Sequence, residues 1–341
     1  MATLQDVARR ANVSLSTASR ILAEVPDKRF SYSEATRERV LRASLELGYK
    51  PNLAAHALAS GRTNILAAVF PRVYDTPFTA LASLQILASL EEACSRRGYH
   101  LLISSPALDA PDAEAGLRNL LDGRYVDAVI FDRHFASDPI ASLVRAYNVP
   151  MLALGYAEDA CFVRSDGFTS GRLLLQHLVS LGHRNIGVIA VADGVHLGVD
   201  ECLKGLQAAA VECGLDAGAF PRLDGTLSRQ SGYEAALGLL QEHPELTALI
   251  ALNDRMAMGA IQAAHELGRR VPDDLSVVGH NNLPQAAEFS PGLTTINQRL
   301  EQWGEIAVDI VVRMLNREPA NSVILPVELI VRESSGPPPE R

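Results

Sequence analysis

The spacing of apolar positions changes period along the chain, and the change divides it. Near the N-terminus Leu4, Val7, Ala8 and Ala11 recur at helical intervals. Thr3 stands ahead of the run as a cap, with Asp6 in the favourable first turn. Asn12-Val13-Ser14 interrupts the run, and Ser14 is placed to cap a second short helix whose outward side carries Leu15, Ser16, Ser19 and Arg20. A short polar helix with no acid at its N-terminal tip suits a DNA major groove. Two short capped helices also occur in domains that bind no nucleic acid. A third helix is predicted from about Ser33 to Leu47, with Ala35, Val40, Leu41, Leu45 and Leu47 as apolar positions and Gly48 as its stop. Three such helices share one small core, which is marginal by itself.

Residues 51–63 are too apolar and alanine-rich for a solvated linker and too short for a stable isolated helix. They are expected to order against a symmetry mate, DNA or the rest of the chain. From Ile65 the pattern becomes buried strand, helix, buried strand. Strands are predicted at Ile65–Phe70, Tyr99–Ser104, Val126–Phe131 and Val149–Leu154, with helices near 79–97, 113–121 and 140–147. A second series starts after Cys161-Phe162-Val163, with helices near 169–181, 201–213, 230–241 and 256–267. Its strands lie near 186–190, 219–223, 248–251 and 275–278. This rhythm predicts an α/β body of two similar lobes, each a parallel sheet with flanking helices, and a ligand between them at the carboxyl ends of the strands. Asp166, Asn253 and Asp254 stand at such ends, where each serves as a ligand group or a helix cap. Asp254 is read as a cap for the helix beginning at Met256. The Pro-rich stretch 334–341 is predicted to be a disordered tail.

Composition sharpens this division. Residues 1–62 hold ten Lys and Arg against six Asp and Glu, a net of +4, while the whole chain of 341 residues carries −9, which leaves −13 on the remainder. A basic head on an acidic body is the balance expected when only the head meets phosphate. The cysteines at 94, 161, 202 and 213 show neither close pairing nor zinc spacing, and read as free thiols of a reducing compartment. No cleavable leader pattern opens the sequence, and no apolar stretch reaches the ~18 residues of a membrane span. A cytoplasmic location follows. Neither a Gly-x-Gly-x-x-Gly after a first strand, nor a Gly-Lys-Ser/Thr loop, nor a His-Glu-x-x-His or Gly-x-Ser-x-Gly pattern is present. The sequence therefore points away from an enzyme, and it calls for no cofactor or metal.

Several ordered motifs extend over the whole chain. They are Thr3-Leu4-x-Asp6-Val7-Ala8, Val13-Ser14-x-Ser16-Thr17-x-Ser19-Arg20, Gly48-Tyr49-x-Pro51-Asn52 and Ala57-Leu58 before Arg62-Thr63. Further on come Leu181-Gly182-His183-Arg184, Asn253-Asp254-x-Met256-Ala257, Val271-Pro272-x-Asp274-Leu275-Ser276-Val277-Val278-Gly279 and Pro291-x-Leu293-Thr294-Thr295-Ile296. In these the chain resembles the LacI/GalR family of bacterial transcriptional regulators. The resemblance implies a helix-turn-helix head over 1–50, a hinge helix and linker over 51–63, and a periplasmic-binding-protein-like body over 64–333. Lobe 1 would span about 64–161 and 293–323, and lobe 2 about 162–292 and 324–333. It also implies a cytoplasmic homodimer that reads a palindromic double-stranded DNA operator, acts as a repressor and responds to a small-molecule effector.

Residue roles follow from the same resemblance. Leu15, Ser16 and Arg20 match positions that read base edges, and Arg20 suits a guanine. Ser14, Thr17 and Ser19 are placed for capping and phosphate contact. Leu58 matches a leucine that wedges into the minor groove, Asn52 begins the hinge helix, and His56 replaces an arginine or amide. The effector side groups would be Tyr74, Asp75, Phe78, Asp166, Asn253, His280 and Asn281. Two departures stand out. Cys202 occupies the place of a ligand arginine, and Gly279-His280-Asn281-Asn282 replaces an aromatic residue and two aspartates. Losing an arginine–carboxylate grip substitutes weaker neutral bonds for charge-assisted ones. An unusual sugar, another small polar metabolite, or no effector at all remain open. The last of these would make the chain a constitutive regulator. A solute-binding protein is disfavoured by the fused basic head.

Overall fold

A computed structural model describes residues 2–22, 32–49, 61–72, 78–107, 114–133, 140–158, 160–216, 218 and 220–340. The chain divides into two units, Met1–Thr63 and Asn64–Arg341.

In the first unit, helices α1 (Leu4–Ala11), α2 (Leu15–Leu22) and α3 (Glu34–Glu46) surround Val7, Ala8, Ala11, Ala18, Ile21, Val40 and Ala43. Thr3 and Asp6 form a reciprocal capping box, with Thr3 N donating to Asp6 Oδ2 at 2.9 Å and Asp6 N donating to Thr3 Oγ1 at 3.3 Å. Asn12 turns the chain in the left-handed region at φ 50°. Ser14 Oγ accepts from Thr17 N at 3.1 Å and starts α2, and Ser33 caps α3. The Arg10 guanidinium donates twice to Glu46, tying α1 to α3. Of the expected apolar positions of α3, Val40 is buried, but Ala35 and Leu45 are exposed. Ala43 fills the inner face instead.

The second unit holds two sheets of like topology. The first contains β1 (Ile65–Val69), β2 (His100–Ser104), β3 (Ala128–Arg133), β4 (Met151–Gly155), β5 (Cys161–Ser165) and a late strand at Val323–Leu325, in the spatial order late strand, β5, β4, β3, β1, β2. The second contains β6 (Ile186–Ala190), β7 (Arg222–Asp224), β8 (Ala248–Ala251), β9 (Ser276–Asn281), β10 (Thr294–Asn297) and a late strand at Glu328–Ile330, in the order late strand, β10, β9, β8, β6, β7. Pairing is parallel except between β10 and Glu328–Ile330. Each order reverses beside the lobe's first strand, so the carboxyl ends splay there and leave a crevice.

The lobe boundaries move from the expected ones. Cys161 pairs with Leu152, so 162–165 complete the first sheet. Thr294 pairs with Val278, so 294–297 belong to the second sheet and not to lobe 1. The strand after residue 219 begins at Arg222. β5 and β10 are each paired on both sides, so their backbone groups are satisfied in the sheet before the chain crosses. A helix over Leu300–Leu315 then returns to lobe 1, packing Trp303, Ala307, Val308 and Val311 against the helix Leu81–Arg96. In lobe 2 the helices Gly167–Ser180 and Leu197–Glu212 meet through Gly171 and Gly205. A Cβ at either glycine would lie 1.9 Å from a carbonyl oxygen of the facing helix. Only glycine permits that approach.

The expectation of a disordered 334–341 tail is overturned for 334–340. Ser334 is fully buried. Its backbone N donates to Gly292 O at 2.9 Å, and its carbonyl accepts from Val277 N at 2.8 Å. Its hydroxyl accepts from Thr294 N at 2.8 Å and donates to Val277 O at 2.6 Å. His177 Nε2 lies 2.9 Å from Ser335 Oγ, and His183 Nε2 lies 2.9 Å from Gly336 O. Prolines 337–339 forbid a helix, but an extended strap needs none of their missing N–H groups. Asp254 is also not the cap expected. Asn253 Oδ1 caps the helix Asp254–Glu266, accepting from Arg255 N at 2.8 Å and Met256 N at 3.3 Å. Asp254 is fully buried and accepts from Leu283 N and Thr295 Oγ1. Burial pushes its carboxyl up to about 6, against the pull of those two donors.

Ser334→Ala strips partners from Thr294 N and Val277 O, and is expected to destabilise the protein by ~1–3 kcal/mol in urea unfolding. An unchanged midpoint would make the strap incidental. Because the folded pKa of Asp254 is raised, its contribution is fully present below the unfolded value of 3.8 and is lost as pH rises through about 6. Asp254→Asn is expected to have a flatter stability curve than the parent across that window. Parallel curves in thermal unfolding would refute this.

Candidate functional site

Two sets of side chains carry the chemistry. On the head, α2 turns Ala18 and Ile21 into the core. This leaves Ser14, Leu15, Ser16 and Arg20 exposed, with Thr17 and Ser19 half-buried. Leu15 is 51% exposed. Ser14 Oγ lies 2.9 Å from Ser16 Oγ and 2.7 Å from Thr17 Oγ1, so these hydroxyls sit in one local network. The first turn of α2 contains no acid, so its positive end faces outward unopposed. Asn52, His56 and Leu58 lie outside the described residues.

On the body, a cavity of about 140 Å³ opens between the lobes. Phe70, Ile86, Leu300 and Trp303 form its lobe-1 floor, with Asp132, Tyr156 and Arg164 beside them. Lobe 2 supplies His196, Asn253, Arg255, His280 and Asn281. The junction between lobes crosses the cavity. Ser165 Oγ donates to Gln298 O at 2.6 Å, and Trp303 Nε1 lies 3.2 Å from Ser165 Oγ and 3.3 Å from Gln298 O. The Gln298 carboxamide donates to Asn281 Oδ1 and lies 3.1 Å from His280 Nδ1. Asn281 itself sits at φ 129°, a region non-glycine residues seldom occupy. Its bond to Gln298 helps hold it there.

Burial sets the protonation of this wall. It pushes His280 down to about 4 and Tyr156 up to about 12. Both are therefore neutral at neutral pH. Positive charge comes from elsewhere. Arg164 is half-buried, with its guanidinium 4.6 Å from the Tyr156 ring centre and 5.5 Å from that of Phe162.

Of the expected effector residues, Asn253, His280 and Asn281 line the cavity together. Cys202, Asp166 and Phe78 do not join them. Cys202 faces the core of lobe 2, 1% exposed, because its helix turns that side onto Gly171. Burial raises its thiol well above the usual value. Asp166 caps the helix Gly167–Ser180, accepting from Thr169 N at 3.0 Å and Thr169 Oγ1 at 2.7 Å, and lies outside the lining. Phe78 is 57% exposed and also outside it. Tyr74 and Asp75 fall beyond the described residues. Sequence reading missed Asp132, Tyr156, Arg164, His196, Gln298 and Trp303. Asp132 and Arg164 sit near the ends of buried strands, and that position was the signal available for both.

No helix among the described residues is long and apolar enough to cross a membrane, and no cluster of three metal-ligating side chains occurs among them. The chain matches "Bacterial regulatory proteins, lacI family" over residues 3–52 and "Periplasmic binding protein-like domain" over 175–335. It is similar to the HTH-type transcriptional repressor PurR of Klebsiella pneumoniae (strain 342), with 32% identity over 98% of this chain and 97% of that protein. It is 33% identical to the HTH-type transcriptional regulator DegA of Bacillus subtilis (strain 168), over 98% of each chain. Among solved structures, the lac repressor dimer bound to operator and the anti-inducer ONPF aligns with a TM-score of 0.83 at 29% identity, covering 98% of this chain and 99% of that one. The cellobiose complex of the transcriptional regulator CelR aligns at 0.73 and 29% identity, covering 98% and 100%. With a head that presents a polar helix, a two-lobed body and relatives matched from end to end, the chain belongs to the LacI family of bacterial transcriptional regulators.

Proposed function

We propose that the protein is a cytoplasmic, homodimeric repressor that reads a palindromic operator through α2 and senses a small polar metabolite in the cleft between its lobes. The carrying observation is the outward face of α2, where Leu15, Ser16 and Arg20 are exposed on a head of net positive charge. In this reading Arg20 reads a guanine edge, Leu15 meets a thymine methyl, and Ser14, Thr17 and Ser19 hold phosphates. Leu58 wedges the minor groove from the hinge, with Asn52 and His56 beside it. Two heads on one dimer match the two halves of a palindrome.

The relatives support the control by ligand. CelR has been solved with cellobiose, and the lac repressor dimer with operator and the anti-inducer ONPF. Here the cleft takes side chains from both lobes. A ligand that touches both favours one lobe arrangement over the other, and only such a preference shifts operator affinity, by about 1–3 kcal/mol. The effector residues are Asn253, His280 and Asn281 together with Asp132, Tyr156, Arg164 and Gln298. Catalysis is not part of this reading.

Selection from random DNA is expected to enrich a palindrome, with affinity falling steeply as salt rises. Failure to enrich one would refute operator recognition. Arg20→Ala is expected to lose about 1–3 kcal/mol on the selected site and little on scrambled DNA. Equal losses on both would place Arg20 on the backbone. Analytical ultracentrifugation at micromolar concentration is expected to give a dimer, and a monomer would overturn that part.

A further inference from the structure

Cys202 brings no charge to the cleft, yet the cleft is not without a cation. Its described lining holds two guanidiniums, Arg164 and Arg255, and one carboxylate, Asp132. Arg255 and Asp132 have partners of their own. Arg164 is different. Among the described residues it forms no ion pair; it lies over the Tyr156 ring at 4.6 Å and the Phe162 ring at 5.5 Å, and it also interacts with the Tyr156 hydroxyl. Stacking leaves the in-plane edge of a guanidinium, where its N–H groups point, available to an acceptor. It also fixes the side chain beforehand, so less conformational freedom is lost on binding.

A second group in the same lining points the same way. His280 is 8% exposed, and its Nε2 is buried with no hydrogen-bond partner among the described residues. The Gln298 amide nitrogen sits 3.1 Å from Nδ1, and Asn281 Oδ1 already accepts from that amide. Nδ1 also lies 3.2 Å from Asn281 Oδ1, so the ring's hydrogen bonds are made on that side whichever nitrogen carries the proton. A buried ring nitrogen without a partner is costly, and a polar group of a ligand would relieve it. Below these groups the floor is apolar, made by Phe70, Ile86, Leu300 and Trp303.

We propose that the molecule bound in this cleft bears an anionic group, a carboxylate or a phosphate, that Arg164 receives, and an apolar face that lies on the Trp303 floor. The inference rests on the reading of the cleft as an effector site and names the ligand class. It moves the cation of the site from position 202 on a lobe-2 helix to position 164 on a lobe-1 strand. The anion and Arg164 form N–H···O bonds, and no covalent step is involved.

The test uses the full chain and two readouts. Binding is followed by calorimetry and thermal shift with glucose phosphate, ribose phosphate, glucuronate and benzoate, beside glucose, ribose and benzyl alcohol as neutral counterparts. Operator affinity is measured with each. At least one acid is expected to bind, and its neutral counterpart to bind at least about tenfold more weakly. The phosphate and carboxylate arms separate the two sources of charge. Arg164→Gln is expected to weaken that acid by about tenfold or more, and Arg164→Lys to restore part of the loss. Neutral counterparts that bind as tightly, an acid indifferent to Arg164→Gln, or no acid bound at all would each overturn the proposal. A neutral sugar that binds and releases operator would overturn it while leaving effector control intact. An acid that binds through Arg164 without changing operator affinity would uphold it and refute effector control.

Discussion

The body depends on how its two lobes are joined beside the cleft. Ser165, the last residue of β5, donates to the Gln298 carbonyl, and the Trp303 indole bonds to both. Gln298 then reaches across to Asn281 and His280 at the end of β9. One short stretch therefore fixes the end of a strand in each sheet and the start of the returning helix. Trp303 is 1% exposed, so its N–H has to find a partner inside the protein, and Ser165 with Gln298 provides it. Remove that junction and the cavity has no defined floor.

Close packing within each lobe keeps the cleft walls rigid against this joint. Gly171 and Gly205 bring two helices of lobe 2 together at backbone contact, and Gly304 does the same beneath Ser89 in lobe 1. Ser89 Oγ accepts from Gly304 N at 2.9 Å. The strap 334–336 closes lobe 2 from outside, pairing backbone groups of β9 and β10 that would otherwise be buried without partners. Rigid lobes on a polar joint are the arrangement in which a ligand between them acts by shifting a population. The electrostatics fit such a role. A guanidinium lying over aromatic rings and a neutral imidazole line the cavity.

Much of the candidate site was legible in sequence, and the failures share a cause. Asn253, His280 and Asn281 follow strands, and the parallel-sheet rule places such residues at the crevice. Asp166 follows a strand too, but Thr169 captures its carboxylate as a cap. Asp254 was taken for a cap, while its neighbour Asn253 takes that role and Asp254 turns inward to Leu283 and Thr295. One residue along a helix start rotates a side chain by ~100°, and local pattern does not choose between the two. Cys202 was expected at the cleft from a family position, yet the glycine contact that sets the helix's rotation turns it inward.

The sequence by itself determined the division into a basic helical head and an acidic α/β body, and the strand and helix order within it. It also determined the polar outward face of α2. These features depend on periodicity, caps and charge between near neighbours, which are local. Tertiary structure decided which strands complete which sheet, that 334–336 dock onto lobe 2, and that Arg164 and Arg255 bring guanidiniums to the cleft. Each of these turns on partners far apart in the chain. Ser334 meets Val277, Gln298 meets Ser165, and Phe162 and Tyr156 flank Arg164, where the strand's pleat and the lobe junction decide what faces the ligand.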